Sequence, residues 1–186
     1  LEIMKAGSGA DNLVLYSQTM TSIERLIFAS GGSGGSTSLS IHGSQFGAGG
    51  LSASLEITGN AAVGEFLVIE LSDTPGAAFS MAGFSFVNWS DTIILNGAGG
   101  DEILTGSSLA DTINGAGGAD TLDGGAGADI LEGGDGNDTY IIDADDFISE
   151  SSPAGGVDLV RSAVTYTLGA NFENLTLTGA LTIDGT

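Results

Sequence analysis

The residues in this sequence with the clearest chemical potential are aspartates that recur at a near-fixed spacing between glycine-rich stretches. From Asn96 to Ile141 the chain divides into five nine-residue units, with Thr105 counted as one extra residue after the first. In this division the sixth position of every unit is aspartate: Asp101, Asp111, Asp120, Asp129 and Asp138. Carboxylates on short side chains are suitable ligands for calcium, a hard cation that takes roughly six to eight oxygens.

The eighth position of each unit is apolar, which predicts a very short strand with one inward-facing side chain. Six loop positions and three strand positions make one unit, and two units are expected to form one flattened coil. Glycines in the loops permit the positive φ angles that turn backbone carbonyls toward an ion. The eighth-position residues are Ile103, Ile113, Leu122, Leu131 and Tyr140.

The units resemble the nonapeptide G-G-x-G-x-D-x-U-x of RTX (repeats-in-toxin) proteins, in which U is apolar. The units that begin at Gly124 and Gly133 match this pattern at every fixed position. The unit that begins at Gly106 departs from it, because Ser107 and Leu109 replace glycines. The resemblance implies a right-handed parallel β-roll, with about three calcium ions held between loops two units apart.

Calcium is expected to be structural in such a roll. Stacked strands lie ~4.8 Å apart, so facing carboxylates without an ion would repel by roughly 1 to 3 kcal/mol per pair. The implied sites pair Asp101 with Asp120, Asp111 with Asp129, and Asp120 with Asp138. The residues predicted to bear ligands are Asn96, Gly97, Gly99, Asp101, Gly106, Asp111, Gly115, Gly117, Asp120, Gly124, Gly125, Gly127, Asp129, Gly133, Gly134, Gly136 and Asp138. Additional candidates outside these positions are Asp11, Asp91, Asp143, Asp146 and Asp158.

The repeat stops after Ile141, because the sixth position of a further unit would be Phe147. Asp138 is therefore expected to have no successor. The aspartates at 143, 145 and 146 are interpreted as a solvated acidic turn in preference to ligands that close the last site.

The elements that must position these loops are parallel strands. Residues 6–14 form one further nonapeptide, and the segment L-x-I-x-G recurs at Leu39, Leu55 and Leu181. The first two copies are sixteen residues apart, a coil-like spacing that predicts an irregular parallel β-helix over residues 22–95. The sequence thus predicts an all-β protein with almost no helix. Its expected parts are an irregular parallel β-helix or β-roll at 1–95 with one nonapeptide at 6–14, the β-roll of five repeats at 96–141, and flanking strands at 142–186 that lead into a further repeat block.

Charge and composition exclude several partners. The chain has 186 residues and a net charge of −21, and no Lys or Arg lies between Arg25 and Arg161. Nucleic acid and acidic membrane surfaces are therefore unsuitable partners. The absence of cysteine excludes disulfides and thiolate metal sites. Neither a membrane-spanning run nor a cleaved signal peptide is visible, so membrane insertion is not expected.

Catalytic patterns are weak. A G-x-S-x-G pattern surrounds Ser33, but it lies in a glycine-serine stretch, and the single histidine, His42, lies on a predicted strand. A serine hydrolase is therefore not supported, and one histidine cannot form a multi-histidine zinc site. Phe84, Phe86 and Trp89 are interpreted as core residues in preference to a sugar-binding platform.

These observations predict a calcium-binding segment of a larger secreted bacterial protein, of adhesin or surface-layer type, that folds on calcium binding outside the cell. It is not expected to be an enzyme. The start at Leu1 suggests an excised segment, and the resemblance implies export by a type I system. Two alternatives stay open: a non-catalytic accessory module of a secreted protease, lipase or polysaccharide-modifying enzyme, and a glycan- or ice-binding module. Calcium and the remainder of the larger polypeptide are the expected partners.

Overall fold

The structure is a computed structural model. It describes residues 2–5, 11–15, 23–28, 37–42, 51–59, 65–71, 75–89, 92–150 and 155–179. None of these residues is helical, so nothing in these ranges is a helix long and apolar enough to span a membrane. The strands are β1 (Glu2–Lys5), β2 (Asp11–Leu15), β3 (Ile23–Phe28), β4 (Thr37–His42), β5 (Leu51–Thr58), β6 (Glu65–Glu70), β7 (Ala78–Ser80), β8 (Ser85–Val87), β9 (Ile93–Asn96), β10 (Ile103–Thr105), β11 (Asp111–Gly117), β12 (Thr121–Asp123), β13 (Ile130–Asp135), β14 (Thr139–Ile142), β15 (Phe147–Ser149), β16 (Leu159–Ser162) and β17 (Asn174–Leu177).

Every strand pair among the described residues is parallel, and the strands form three sheets. The first sheet has the order β1-β3-β5-β8, the second β15-β13-β11-β9-β6-β4-β2, and the third β17-β16-β14-β12-β10-β7. The chain alternates between the first and second sheets up to β6, and between the third and second sheets from β9 to β16. This winding is a parallel β-solenoid, and the predicted fold class is confirmed.

The strand register measures the length of each coil. In the repeat region Leu104 pairs with Leu122, so one narrow coil takes 18 residues, the same separation that joins Glu102 to Asp120. Two nonapeptides have this length, and the prediction that two units form one coil is confirmed. Before the repeats the coils are wider, since Glu70 pairs with Asn96, 26 residues further along the chain.

The copies of L-x-I-x-G at Leu39 and Leu55 do not stack on each other as predicted. Leu39 lies in β4 of the second sheet and pairs with Leu67 of β6, whereas Leu55 lies in β5 of the first sheet. The spacing of these copies is therefore the step between two sheets and not a whole coil. The copy at Leu181 and the Ser33 pattern lie outside the described residues, and His42 ends β4.

The core consists of columns of inward-facing apolar side chains. In the repeat region most strands contribute one such residue, and β14 contributes two, Tyr140 and Ile142. The wide coil between β6 and β9 adds bulky residues, and the rings of Phe79 and Phe84 meet edge to face at 6.2 Å. The core interpretation is confirmed for Phe84 and Trp89, which are buried, while Phe86 is half-buried against Trp89. The column of the third sheet is Phe79, Leu104, Leu122, Tyr140 and Val160. The column of the second sheet is Ile69, Leu95, Ile113, Leu131 and Ile148.

The predicted register of the first repeat unit is wrong by one residue. Leu104 pairs with Leu122 and is fully buried, whereas Ile103 is 55% exposed. Thr105 is therefore the ninth residue of a regular unit and not an insertion. Strand alternation explains the difference, because only one of two adjacent apolar residues can face the core.

Candidate calcium sites

A carboxylate that points into the coil precedes the short strands of the repeat. Asp120 lies immediately before β12 and Asp138 immediately before β14, and both side chains are only 1% exposed. Because side chains alternate along an extended chain, the sixth and eighth positions of a unit face the same side. Each unit therefore buries one carboxylate beside one apolar side chain.

These carboxylates form two columns along the solenoid. From the second member of each column onward, a carboxylate accepts a hydrogen bond from the backbone N–H of the equivalent residue one coil earlier: Glu102 donates to Asp120 over 2.7 Å, and Asp120 donates to Asp138 over 2.8 Å. Acidic column 1 contains Glu102, Asp120, Asp138, Asp158 and Glu173. Acidic column 2 contains Asp111, Asp129 and Asp146.

Both columns continue past the nonapeptides, contrary to the expectation that Asp138 has no successor. The step from Asp129 to Asp146 is 17 residues, one fewer than in the repeat. Asp146, and not Phe147, therefore occupies the position equivalent to Asp129 and accepts the Asp129 N–H over 3.1 Å. The step from Asp138 to Asp158 is 20 residues, and Asp158 accepts the Asp138 N–H over 2.8 Å. Asp146 is half-buried and belongs to the column, so the interpretation as a solvated turn is wrong for this residue.

Three of these carboxylates have an oxygen without a partner. The Oδ2 atoms of Asp120, Asp129 and Asp138 are buried and have no hydrogen bond. Burial, with a smaller contribution from neighbouring carboxylates, raises the pKa of Asp120 and of Asp129 to about 7, against backbone hydrogen bonds that lower it. A buried carboxylate needs a proton or a cation to neutralise it. Since no Lys or Arg lies between Arg25 and Arg161, a bound cation fits this requirement.

The first glycine of each unit leaves space for its carboxylate. A Cβ atom at Gly115 would collide with the Asp120 carboxylate and would lie 2.7 Å from the carbonyl oxygen of Gly133. Close packing against the carboxylate and the next loop therefore accounts for this glycine. The equivalent glycines at the other sixth-position aspartates are Gly106, Gly124 and Gly133.

The glycine at the fourth position of a unit has a different role. Gly127 has a φ of 143°, in the region that side chains disfavour, and a Cβ atom there would lie 2.5 Å from the carbonyl oxygen of Leu109. The loops therefore stack with their backbone carbonyls close to the next loop. Carbonyl oxygens and carboxylates together are the donor set that calcium prefers.

The Asp111 site differs from the others, at the unit where the pattern is least regular. The Ser107 N–H donates to Oδ2 of Asp111 over 2.6 Å, and the Ser107 hydroxyl lies 3.2 Å from Oδ1. Burial raises the pKa of Asp111 to about 6, less than for Asp120, and the Ser107 hydrogen bonds lower it. Both oxygens of this carboxylate already have donors, so its need for a cation is smaller.

The corrected register moves the acidic position of the first unit from Asp101 to Glu102. Asp101 is exposed and its Oδ1 accepts the Ala119 N–H over 2.8 Å, whereas Glu102 is buried in column 1. Sequence reasoning missed Glu102 because only aspartates were counted. The signal was present, since Glu102 lies nine residues before Asp111. Asn96 consequently belongs to the preceding strand, where its amide donates to Glu70 over 3.0 Å.

The remaining predicted ligand residues are the loop glycines of the repeats and three aspartates outside the repeats. The Asp143 N–H donates to Oδ2 of Asp146 over 2.8 Å, which places Asp143 beside column 2. Asp11 begins β2, and Asp91 lies outside the described residues. The loop glycines occupy the first position (Gly97, Gly106, Gly115, Gly124, Gly133), the second (Gly125, Gly134), the third (Gly99, Gly117) or the fourth (Gly127, Gly136).

Fold and site together define a parallel β-solenoid with glycine-rich loops and buried rows of carboxylates. Residues 105–140 match the RTX calcium-binding nonapeptide repeat in four copies. These residues are therefore RTX calcium-binding repeats, as their resemblance predicted. Comparison with curated proteins and with solved structures gave no match for the chain.

Proposed function

We propose that this chain is a module that folds when calcium binds to its acidic columns. The observation that carries the proposal is the set of buried, unpartnered carboxylate oxygens at Asp120, Asp129 and Asp138. In the absence of a cation these groups oppose folding, because each must lose its hydration and face its neighbour. A bound calcium ion attracts both neighbouring carboxylates and so replaces their mutual repulsion with a favourable interaction.

About three ions in the repeat region follow from this arrangement, one between each pair of neighbouring column members. The pairs are Glu102 with Asp120, Asp111 with Asp129, and Asp120 with Asp138. Calcium suits such sites better than magnesium, because it accepts irregular geometry and many oxygens, whereas magnesium requires a tight octahedron and retains its water.

The module belongs to a larger secreted bacterial protein of adhesin or surface-layer type, and it has no catalytic role of its own. RTX repeats are typical of secreted bacterial proteins, which supports a type I export route and folding outside the cell. A net charge of −21 with dissociation constants of ~0.1 to 1 mM, usual for extracellular calcium modules, favours an unfolded chain before export and a folded one after it. The second candidate is an accessory module of a secreted protease, lipase or polysaccharide-modifying enzyme.

Ice binding has little support from the surface of the third sheet. Ice-binding faces need a regular outward row of threonines. Thr121 pairs with Thr139 at the seventh position, but the neighbours on either side are Ile103 and Leu159. Thr112 lies in a different sheet, so it does not extend the row.

Calorimetric titration of the full chain with calcium and, separately, with magnesium tests the proposal. Far-ultraviolet circular dichroism follows the β-structure in the same titrations. We expect binding of several calcium ions coupled to a gain in β-signal, and a much weaker response to magnesium. Absence of calcium binding, or an equal response to both ions, contradicts the proposed function.

A further inference from the structure

Beside acidic column 1, where the nonapeptides end, lies a carboxylate that the nonapeptide pattern does not supply. Glu150 follows β15 directly, in the segment that leads to β16. One side-chain oxygen of Glu150 lies with one of Asp138 and one of Asp158 in a group whose members are all within 4.8 Å of one another. Three separate stretches of chain thus bring their carboxylates to one point.

The hydrogen bonds of this cluster leave specific oxygens unused. Oδ1 of Asp138 accepts the Asp120 N–H, and Oδ1 of Asp158 accepts the Asp138 N–H, each over 2.8 Å. Oδ2 of Asp138 has no partner, although the side chain is only 1% exposed. Oε2 of Glu150 is likewise buried and unpartnered. A buried carboxylate oxygen without a partner needs a proton or a cation to neutralise it.

Neighbouring groups hold Glu150 in place. The Tyr140 hydroxyl donates to Oε1 of Glu150 and accepts the Gly133 N–H over 2.7 Å. The Asn171 side chain donates to the backbone carbonyl of Glu150 over 3.1 Å. The Phe172 ring packs edge to face on Tyr140 at 5.3 Å. The glutamate is therefore positioned by fixed contacts on several sides.

We infer that Asp138, Glu150 and Asp158 form a further calcium site, which closes the repeat stack where the nonapeptides end. The inference rests on the proposed function, because it assigns an additional ion to the same acidic column. Calcium–oxygen bonds of roughly 2.3 to 2.6 Å allow two oxygens on one ion to lie up to about 5 Å apart, which the cluster satisfies. Glu150 takes the place that a further repeat loop would otherwise fill.

The test compares Glu150→Gln with the wild-type full chain and with Asp145→Asn. Asp145 is an exposed acid in the turn before β15, so its replacement removes one nearby charge without touching the cluster. Calcium stoichiometry is measured by calorimetry and by native mass spectrometry. We expect Glu150→Gln to bind one ion fewer, or to bind one ion at least about tenfold more weakly. Asp145→Asn should bind the wild-type number.

Wild-type stoichiometry and affinity in Glu150→Gln would overturn the inference, because the unused oxygens are then satisfied by protons. If Glu150→Gln lacks the β-signal at saturating calcium, Glu150→Asp decides. A shorter side chain with the same charge should restore calcium-dependent folding, and failure to restore it also overturns the inference. A wild-type chain that binds no calcium at all would instead remove the proposed function.

Discussion

The coils before residue 96 and the coils after it use one inward-facing position of the second sheet in opposite ways. The register aligns Leu67 with Ile93, and Ile93 with Asp111. Asp129 continues the same line, since its Oδ1 accepts the Asp111 N–H. All four side chains are at most 2% exposed. An apolar column therefore becomes an acidic column without a break in the sheet.

The two regions differ in what keeps them folded. A fully buried Leu or Ile contributes about 1.5 to 3 kcal/mol, so strands such as β6 and β9, which bury two apolar residues each, stabilise their coils directly. In the narrow coils one of the two positions is a carboxylate, which costs free energy without a cation. The narrow coil is thus less stable than the wide coil without an ion, and its folding depends on a bound cation.

The largest mutational effect should come from the buried apolar residue that accompanies the carboxylate in each unit of the narrow coils. Leu104→Ala removes a fully buried side chain and should lower the free energy of unfolding by about 2 to 5 kcal/mol in calcium. Ile103→Ala, at the adjacent exposed position, should change it by less than about 0.5 kcal/mol. Urea unfolding of both variants checks the corrected register, and a larger loss for Ile103→Ala would restore the original one.

A smaller effect is expected from filling the space beside a carboxylate. Gly115→Ala places a methyl group against Asp120 and the Gly133 carbonyl, and overpacking of this kind costs about 1 to 3 kcal/mol. The matched control is Gly99→Ala, where a Cβ atom meets nothing within 4 Å. Thermal unfolding in calcium should therefore show a loss for Gly115→Ala alone. Equal changes in thermal stability for the two variants would contradict the close packing of Gly115 against the Asp120 carboxylate.

The two acidic columns should differ in their dependence on calcium. Asp120 has a carboxylate neighbour on either side, at Glu102 and Asp138, and one unpartnered oxygen. Asp111 has Ile93 on one side, and Ser107 donates to its carboxylate. Asp120→Asn should therefore raise the calcium midpoint of folding by roughly tenfold, and Asp111→Asn by less. Equal shifts in the two titrations would indicate independent calcium loops.

A further expected effect is a pH dependence that changes sign with calcium. The folded-state pKa of Asp120 and Asp129 is about 7 against an ordinary value of 3.8, so the folded chain binds more protons than the unfolded one between these values. Without calcium, the free energy of unfolding should therefore be largest at low pH and should decline as the pH rises through about 7. With calcium, protons compete for the same oxygens, so stability should decline as the pH falls.

Thermal unfolding at about pH 5 and about pH 8, in chelator and in calcium, measures both trends. A second comparison comes from the wide coils. There Leu67 and Ile93 occupy the positions that align with Asp111 and Asp129, and neither has a group that titrates. Unfolding of those coils should show no such reversal. A chelated chain that gains stability with rising pH would contradict the assignment of buried carboxylates.

The sequence was sufficient to predict the parallel solenoid and the two-unit coil. The prediction succeeded because the nine-residue period and the alternation of apolar residues along each strand are local features that can be read directly from the sequence. The first unit was shifted by one residue, since Ile103 and Leu104 are both apolar and only packing decides which of them faces inward. Asp146 and Asp158 were predicted only as additional ligand candidates and not as members of the repeat stack, because their coils are one residue shorter and two residues longer than the repeat coil and so break the period. Glu150 has no periodic signal, and only the fold brings it to Asp138.

Hydrogen exchange with peptide resolution, measured in chelator and in millimolar calcium, tests most directly whether calcium holds the acidic coils together. In chelator the amides of β11 to β14 should exchange rapidly, while those of β6 and β9 in the apolar coils should stay protected. Addition of calcium should bring strong protection to β11 to β14 and little change to β6. Equal protection of β11 to β14 with and without calcium would contradict the dependence of the acidic coils on the ion.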